Sequence, residues 1–252
     1  GSGKVYIARD GYFKDVDIVL HWHPDDNNRV GFGTSNGNRS ARFTFSGISS
    51  HAAGSPQNGR SALDGVEAMN MMVNMMREHM DEEARIHYII TKGGLAPNVV
   101  PDVAEAYYYV RHPSPDGVRD LFERVVKAAN GAAEGTETIM SYEIMHGNYP
   151  VMANEVLSRL ADQELNKLGG ASLSYTNEEK EFAEELYQTL VNPDAQIGDQ
   201  VTIQPMVYSQ GKGSTDVGDV SWMVPTTGVR IATWVPGTSA HSWQAVAAGG
   251  TS

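Results

Sequence analysis

The sequence predicts an α/β protein of two domains, one inserted into the other. Three observations carry that expectation. Between about residues 41 and 146 the apolar pattern switches between periods of two and of three to four, in the order β-α-β-β-α-β. That order is the split βαβ arrangement of ferredoxin-like α+β domains. The flanking stretches, 1–40 and 147–252, read as further strands and helices, so they are expected to pack together as one α/β domain.

Composition narrows the partners. The chain has 252 residues, 40% of them hydrophobic, enough for a real core. Its formal net charge of −12 argues against nucleic acid or an anionic membrane surface, both of which need a basic face. No apolar run reaches the roughly 18 residues of a membrane span. With no cysteine there is neither a disulfide nor a thiolate metal site, which fits a cytoplasmic setting. Any metal would have to use His, Asp or Glu. The chain begins without methionine and ends at Gly249-Gly250-Thr251-Ser252 with no closing helix foreseen, so it is read as an internal piece of a longer protein.

Taken in order, Val16–Leu20 is expected to be a buried strand that ends at His21-Trp22-His23. Residues 29–40, rich in Gly, Asn, Ser and Arg, read as a linker or hairpin. Arg42–Ser46 alternates, with Phe43 and Phe45 on one face. Ser61–Met80 has a helical stripe of Leu63, Val66, Met69, Val73, Met76 and Met80, and Met71, Met72 and Met75 form a second stripe. Arg85–Thr91 and Val103–Arg111 are strands, the latter placing Tyr107 and Tyr109 on the face of Arg111. Ser114 and Pro115 open a helix as N-cap and first-turn proline. Its apolar face runs through Val118, Leu121, Phe122, Val125, Val126 and Ala129. Thr136–Met145 is the last strand of the insertion. Helices at Asn154–Leu168 and Glu178–Leu190 and strands at Gln200–Tyr208 and Val229–Trp234 complete the expectation.

Chemistry concentrates in a few stretches. The stretch Gly47–Val66 opens with a loop, rich in Gly, Ser and Pro, that presents His51 before the helix begins. His21 and His23 share one face of a strand, a spacing that suits a metal, although a polar strand end before a turn is equally consistent. They sit where open α/β sheets place their ligands. Asp216 and Asp219 are either metal-associated or, more plainly, part of a turn that caps the next helix.

Five segments, in this order, resemble the zinc aminoacylase and carboxypeptidase-type metallopeptidases, an amidohydrolase family. They are Val16-Asp-Ile-Val-Leu-His-Trp-His-Pro24, Ser50-His51-Ala-Ala, Gly93 to Asp102 with Arg111, Asn148-Tyr-Pro150, and Ala240-His241-Ser-Trp-Gln. The resemblance implies a hydrolase/phosphorylase-like α/β catalytic domain, partial here, and an inserted lid that forms a homodimer, with a second subunit type as a further partner. It implies two divalent metal ions, zinc first and Mn²⁺ or Co²⁺ as substitutes. In that family a histidine six positions beyond an acidic residue is a ligand; counting from Asp17 gives His23, with His21 as a supporting or spare imidazole. His241 matches the late ligand of the other metal. His51 is implied to reach the neighbouring subunit's site and steady the oxyanion. Asn98 and Arg111 are implied to act as a pair on the substrate's carboxylate or main-chain carbonyl. The remaining ligands and the general-base glutamate are implied to lie upstream of Gly1, so this chain alone is expected to be inactive. The implied reaction is hydrolysis of the amide of an N-acyl amino acid, with a dipeptidase or a non-catalytic assembly relative as alternatives.

Overall fold

The computed structural model describes residues 2–169 and 174–250. In chain order the elements are α1 (Gly3–Arg9), β1 (Val19–Asp25), β2 (Arg29–Val30), β3 (Gly33–Thr34), β4 (Gly37–Ser46), α2 (Ala62–Met76), β5 (Arg85–Lys92), β6 (Val103–His112), α3 (Pro115–Thr136), β7 (Ile139–Asn148), α4 (Glu155–Leu168), α5 (Asn177–Tyr187), β8 (Ser209–Gln210), α6 (Val217–Ser221), β9 (Thr226–Ala232) and α7 (Trp243–Gly249). They fall into two compact units. The first holds the residues up to Tyr12, Ser35–Val151 and Gly211–Asp219, and the second holds the remainder.

In the first unit a four-stranded antiparallel sheet, ordered β5-β6-β4-β7, carries α2 and α3 on one face. Alternation decides which face is dry. Ala41, Phe43 and Phe45 of β4, Ile86 of β5, and Ala104, Ala106, Tyr108 and Val110 of β6 all turn to the helices and are buried. Val66, Met69 and Val73 of α2 meet them, as do Leu121, Phe122, Val125 and Ala129 of α3. Each fully buried Phe, Met or Val contributes about 1.5–3 kcal/mol, so this layer holds the unit together. Both helices start where their caps require. Ser61 Oγ accepts the Asp64 N–H at 3.1 Å, and Ser114 Oγ accepts that of Gly117 at 3.1 Å, with Pro115 in the first turn. Gly65, in mid-α2, has a packing reason: a Cβ there would lie 2.5 Å from Phe45 Cδ1. The opposite face of the sheet is polar and bears Arg42, Thr44, His87, Glu105, Tyr107, Tyr109 and Arg111.

The second unit contains a three-stranded sheet, β1-β9-β2, with β1 parallel and β2 antiparallel to β9, and the short parallel pair β3-β8. Asn154 caps α4, and Thr176 and Glu179 form a capping box on α5. Ser158 Oγ of α4 meets Thr227 Oγ1 of β9 at 2.9 Å.

Several expectations need correction. The first strand is Val19–Asp25, not Val16–Leu20, because the ladder to β9 begins at Val19↔Thr226. His21 and His23 therefore lie within the strand and not beyond it. It is not a buried strand either: Leu20 is 68% and Trp22 62% exposed. Gln200–Tyr208 is a 3₁₀ turn and irregular chain with one isolated bridge, Ile203 to Asn28, and the only strand there is Ser209–Gln210. The α2 helix tightens into 3₁₀ after Met76. The structure adds the helices α1 and α7; α7 is short and capped by Ser242, whose Oγ accepts the Ala245 N–H at 3.2 Å.

Candidate active site

In the first unit two loops are sewn together at the start of β6. Gly47 N–H donates to Asp102 C=O at 2.7 Å, Val100 N–H to Ser50 C=O at 2.9 Å, and Ala52 N–H to Asn98 C=O at 3.0 Å. Gly47 permits the crossing, since a Cβ there would sit 2.0 Å from the Arg60 carbonyl oxygen. His51 and Asn98 are thereby brought to one place, both exposed. The imidazole is oriented by its own loop. Its Nδ1 accepts the Gly54 N–H at 2.9 Å and the Ala53 N–H at 3.2 Å. An Nδ1 that accepts two amides carries no proton, so the ring hydrogen is on Nε2 and faces away from the loop as a donor.

Arg111 is elsewhere. The strand β6 begins beside Asn98 and ends beside Arg111, and eight residues of antiparallel strand span about 27 Å. Most of the extended strand β6 therefore lies between Arg111 and the loop that holds Asn98. Arg111 is half-buried on the polar sheet face, with its guanidinium 5.6 Å from the Tyr109 ring centre. Burial holds its pKa below the usual arginine range.

In the second unit, His23 on β1 has Nδ1 2.6 Å from the Pro24 carbonyl oxygen. A carbonyl only accepts, so Nδ1 bears the hydrogen and the Nε2 lone pair is left for a cation, the arrangement metal-binding histidines favour. His21 lies over Gly228, where a Cβ would come 2.3 Å from its Nε2. His241 occupies the loop between β9 and α7 with φ +63°, a left-handed conformation that few non-glycine residues adopt. That loop is tied to the end of β1. Thr233 and Trp234 donate to Asp25 C=O at 2.9 and 3.2 Å, and Gly237 N–H donates to Asp26 Oδ2 at 3.0 Å. Asp25 is held in turn by Arg29 and Arg230, each at 3.1 Å. Burial pushes the Asp26 carboxyl up; at Asp25 burial is outweighed by the Asp26 amide and the two guanidiniums, which hold it low. Pro24-Asp-Asp-Asn-Asn reads in sequence as a mere turn; its one signal is two acids directly after a candidate ligand. Among the described residues no three His, Asp or Glu side chains converge as a ready cation site. His23 and His241 fit as imidazole donors, but as a partial ligand set.

Asp216 and Asp219 have structural partners in the first unit. Asp216 pairs with Lys4 at 2.9 Å, and Asp219 accepts the Tyr149 N–H at 3.1 Å.

Residues 34–137 match the family model of the peptidase dimerisation domain. The whole chain aligns, at 35% identity over 278 residues, with one of the subunits of p-aminobenzoyl-glutamate hydrolase from Escherichia coli strain K12, covering 57% of that protein. The chain thus carries a peptidase dimerisation domain at residues 34–137, and over its whole length it is similar to that hydrolase subunit. The Xaa-Arg dipeptidase of Mus musculus is 29% identical over 226 residues, 89% of this chain and 46% of that one. The chain thus spans about half the length of the curated relatives it matches. Among solved structures, an aminobenzoyl-glutamate utilization protein of Klebsiella pneumoniae superposes with a TM-score of 0.56 at 17% identity, covering 96% of this chain and 55% of that one. An amidase of the hydantoinase/carbamoylase family from Burkholderia vietnamiensis gives 0.60 at 13% identity, covering 85% and 46%. These two likenesses concern the fold alone. Among the described residues no helix is long and apolar enough to cross a membrane.

Proposed function

We propose that this protein works as a metal-dependent amide hydrolase on N-acyl amino acids such as p-aminobenzoyl-glutamate, in a site completed by a second copy of the chain. The observation that carries the reading is the separation of roles along β6. His51 and Asn98 lie on the loops before β6, and Arg111 lies near that strand's far end, with about 27 Å of strand between Val103 and Arg111. In this reading two copies of the chain together bring the three residues to one small substrate. In this reading Arg111 takes the carboxylate with its fork of donors. His51 Nε2–H and Asn98, from the partner copy, face the amide carbonyl, where the imidazole N–H stabilises the oxyanion. His23 and His241 hold divalent metal, zinc first, with Mn²⁺ or Co²⁺ as substitutes. Such ions, when bound, acidify a water and polarise the carbonyl. The general base and the other ligands are assigned to parts of the protein outside these 252 residues. The same reading covers dipeptides, in keeping with the dipeptidase relative.

The copies have a surface to meet on. Met71 and Met75 of α2 are 62% and 63% exposed, and Ile89 and Ile90 are exposed on the edge strand β5. The end of α2 lies along that edge, with Asn74 Nδ2 donating to Tyr88 Oη at 3.1 Å. Holoenzyme should release free amino acid from N-acyl glutamate, with the rate abolished by a chelator. Met71→Lys with Met75→Lys puts two charges into the contact, so this variant should run as a monomer in light scattering and lose the activity. A monomer at full rate would contradict the composite site.

A further inference from the structure

Two arginines on the polar face of the inserted sheet rest on tyrosines, and they differ in one respect. Arg42 lies 5.4 Å from the Tyr107 ring centre and is neutralised by Glu105 at 3.4 Å. Glu105 is further committed to Thr91 Oγ1 at 2.6 Å. Arg111 lies over Tyr109 in the same way, yet among the described residues no carboxylate comes within ion-pair distance of it. Its Nε is buried and has no hydrogen-bond partner there. Its surroundings add positive charge: burial, then the charges of Arg111, Arg77 and Arg85, hold His87 below the usual histidine range. In a chain of net charge −12 this is a local cationic spot left open.

The ring beneath Arg111 is fixed from the far side. Tyr109 Oη is 3.2 Å from His146 Nε2 and 3.5 Å from Tyr107 Oη. His146 Nδ1 is 3.2 Å from Asn38 Nδ2, and Asn38 is buried on β4. The bulge in the β4–β7 ladder between Ser40 and Ala41 sets His146 opposite Ser40, beside the end of β6. Burial, with the Arg111 charge, keeps His146 below its ordinary pKa and so neutral at pH 7.

We propose that Asn38, His146 and Tyr109 form a positioning relay that holds the Arg111 guanidinium as a receptor for a substrate carboxylate, so that Tyr109 and His146 determine preference for acid-bearing amides. This deepens the composite-site reading and rests on its assignment of Arg111. A relay that only stabilised the sheet would have no reason to leave its arginine without a counter-ion. Arg42, on the same face, shows the closed form of the arrangement.

The test uses holoenzyme and two substrates, an N-acyl amino acid with a free α-carboxylate and its carboxamide analogue. Arg111→Ala should raise KM for the acid about 100-fold, the scale of a lost charge-assisted pair, and for the carboxamide by about 10-fold at most, the scale of a hydrogen bond to a neutral acceptor. Tyr109→Phe and His146→Ala should each raise KM for the acid alone, about 5- to 10-fold, the scale of one lost hydrogen bond, with kcat held. His146→Gln, which keeps a side-chain amide toward Tyr109, should recover part of that loss. Arg42→Ala should leave the acid-to-carboxamide ratio as it was. If Arg111→Ala has no effect on KM, the assignment of Arg111 fails and the relay with it. If Arg111→Ala acts as expected but Tyr109→Phe and His146→Ala affect both substrates equally, or lower only Tm, the relay alone is overturned.

Discussion

His51→Ala in the holoenzyme is expected to lower kcat by about 10²–10³-fold, the cost of removing one oxyanion donor. The imidazole is aimed by backbone: Gly54 and Ala53 amides fill Nδ1, so Nε2–H is already directed outward before substrate binds. Preorganisation of that kind acts on the transition state more than on the bound substrate, so KM should hardly move. Metal content should not change, because His51 is assigned no ligand role. The substitution also deprives two exposed amides of their acceptor, a local cost of about 1 kcal/mol at most, since water can replace it. His51→Gln, which restores an N–H donor without the aromatic ring, should recover part of kcat. Steady-state kinetics beside metal analysis separate these outcomes; loss of metal in His51→Ala would move the residue from oxyanion donor to ligand.

His23→Ala and His241→Ala are expected to do the reverse. Each should lower the metal-to-protein ratio and reduce kcat/KM by about 10³-fold or more, the equivalent of several kcal/mol of lost Lewis-acid stabilisation. The arrangement behind this is the Pro24 carbonyl on His23 Nδ1, which fixes the tautomer with Nε2 unprotonated. His241 depends on a loop pinned by Asp25 and Asp26 to the end of the same strand that carries His23. Full metal content and full rate in both variants would dismiss the assignment.

The four-stranded sheet and its two helices were legible because burial leaves a period in the sequence. Phe43 and Phe45, Tyr107, Tyr109 and Arg111, and Ser114-Pro115 all stand where alternation and capping put them. Pairing leaves no such mark. Nothing in Val16–Leu20 tells that the ladder to Thr226–Ala232 starts only at Val19, or that Leu20 and Trp22 stay exposed. The same holds for the site. His51, Asn98 and Arg111 are candidates taken from motifs, and motifs do not tell that most of strand β6 lies between Arg111 and the loop of Asn98. The tautomers of His51 and His23 depend on which backbone groups fold against the rings, and the Asn38–His146–Tyr109 relay on a bulge in the β4–β7 ladder. None of these is written in residue type.

Complementation between two inactive variants tests the composite site most directly. Holoenzyme His51→Ala and His23→Ala subunits, each purified and then mixed under conditions that exchange subunits, give hybrid dimers with one site that lacks both residues and one that lacks neither. The expected result is recovery toward half the wild-type rate per hybrid dimer, growing with the hybrid fraction measured by native mass spectrometry. Verified hybrid dimers that stay as inactive as the parents would place His51 in its own chain's site and contradict the exchange of His51 between copies.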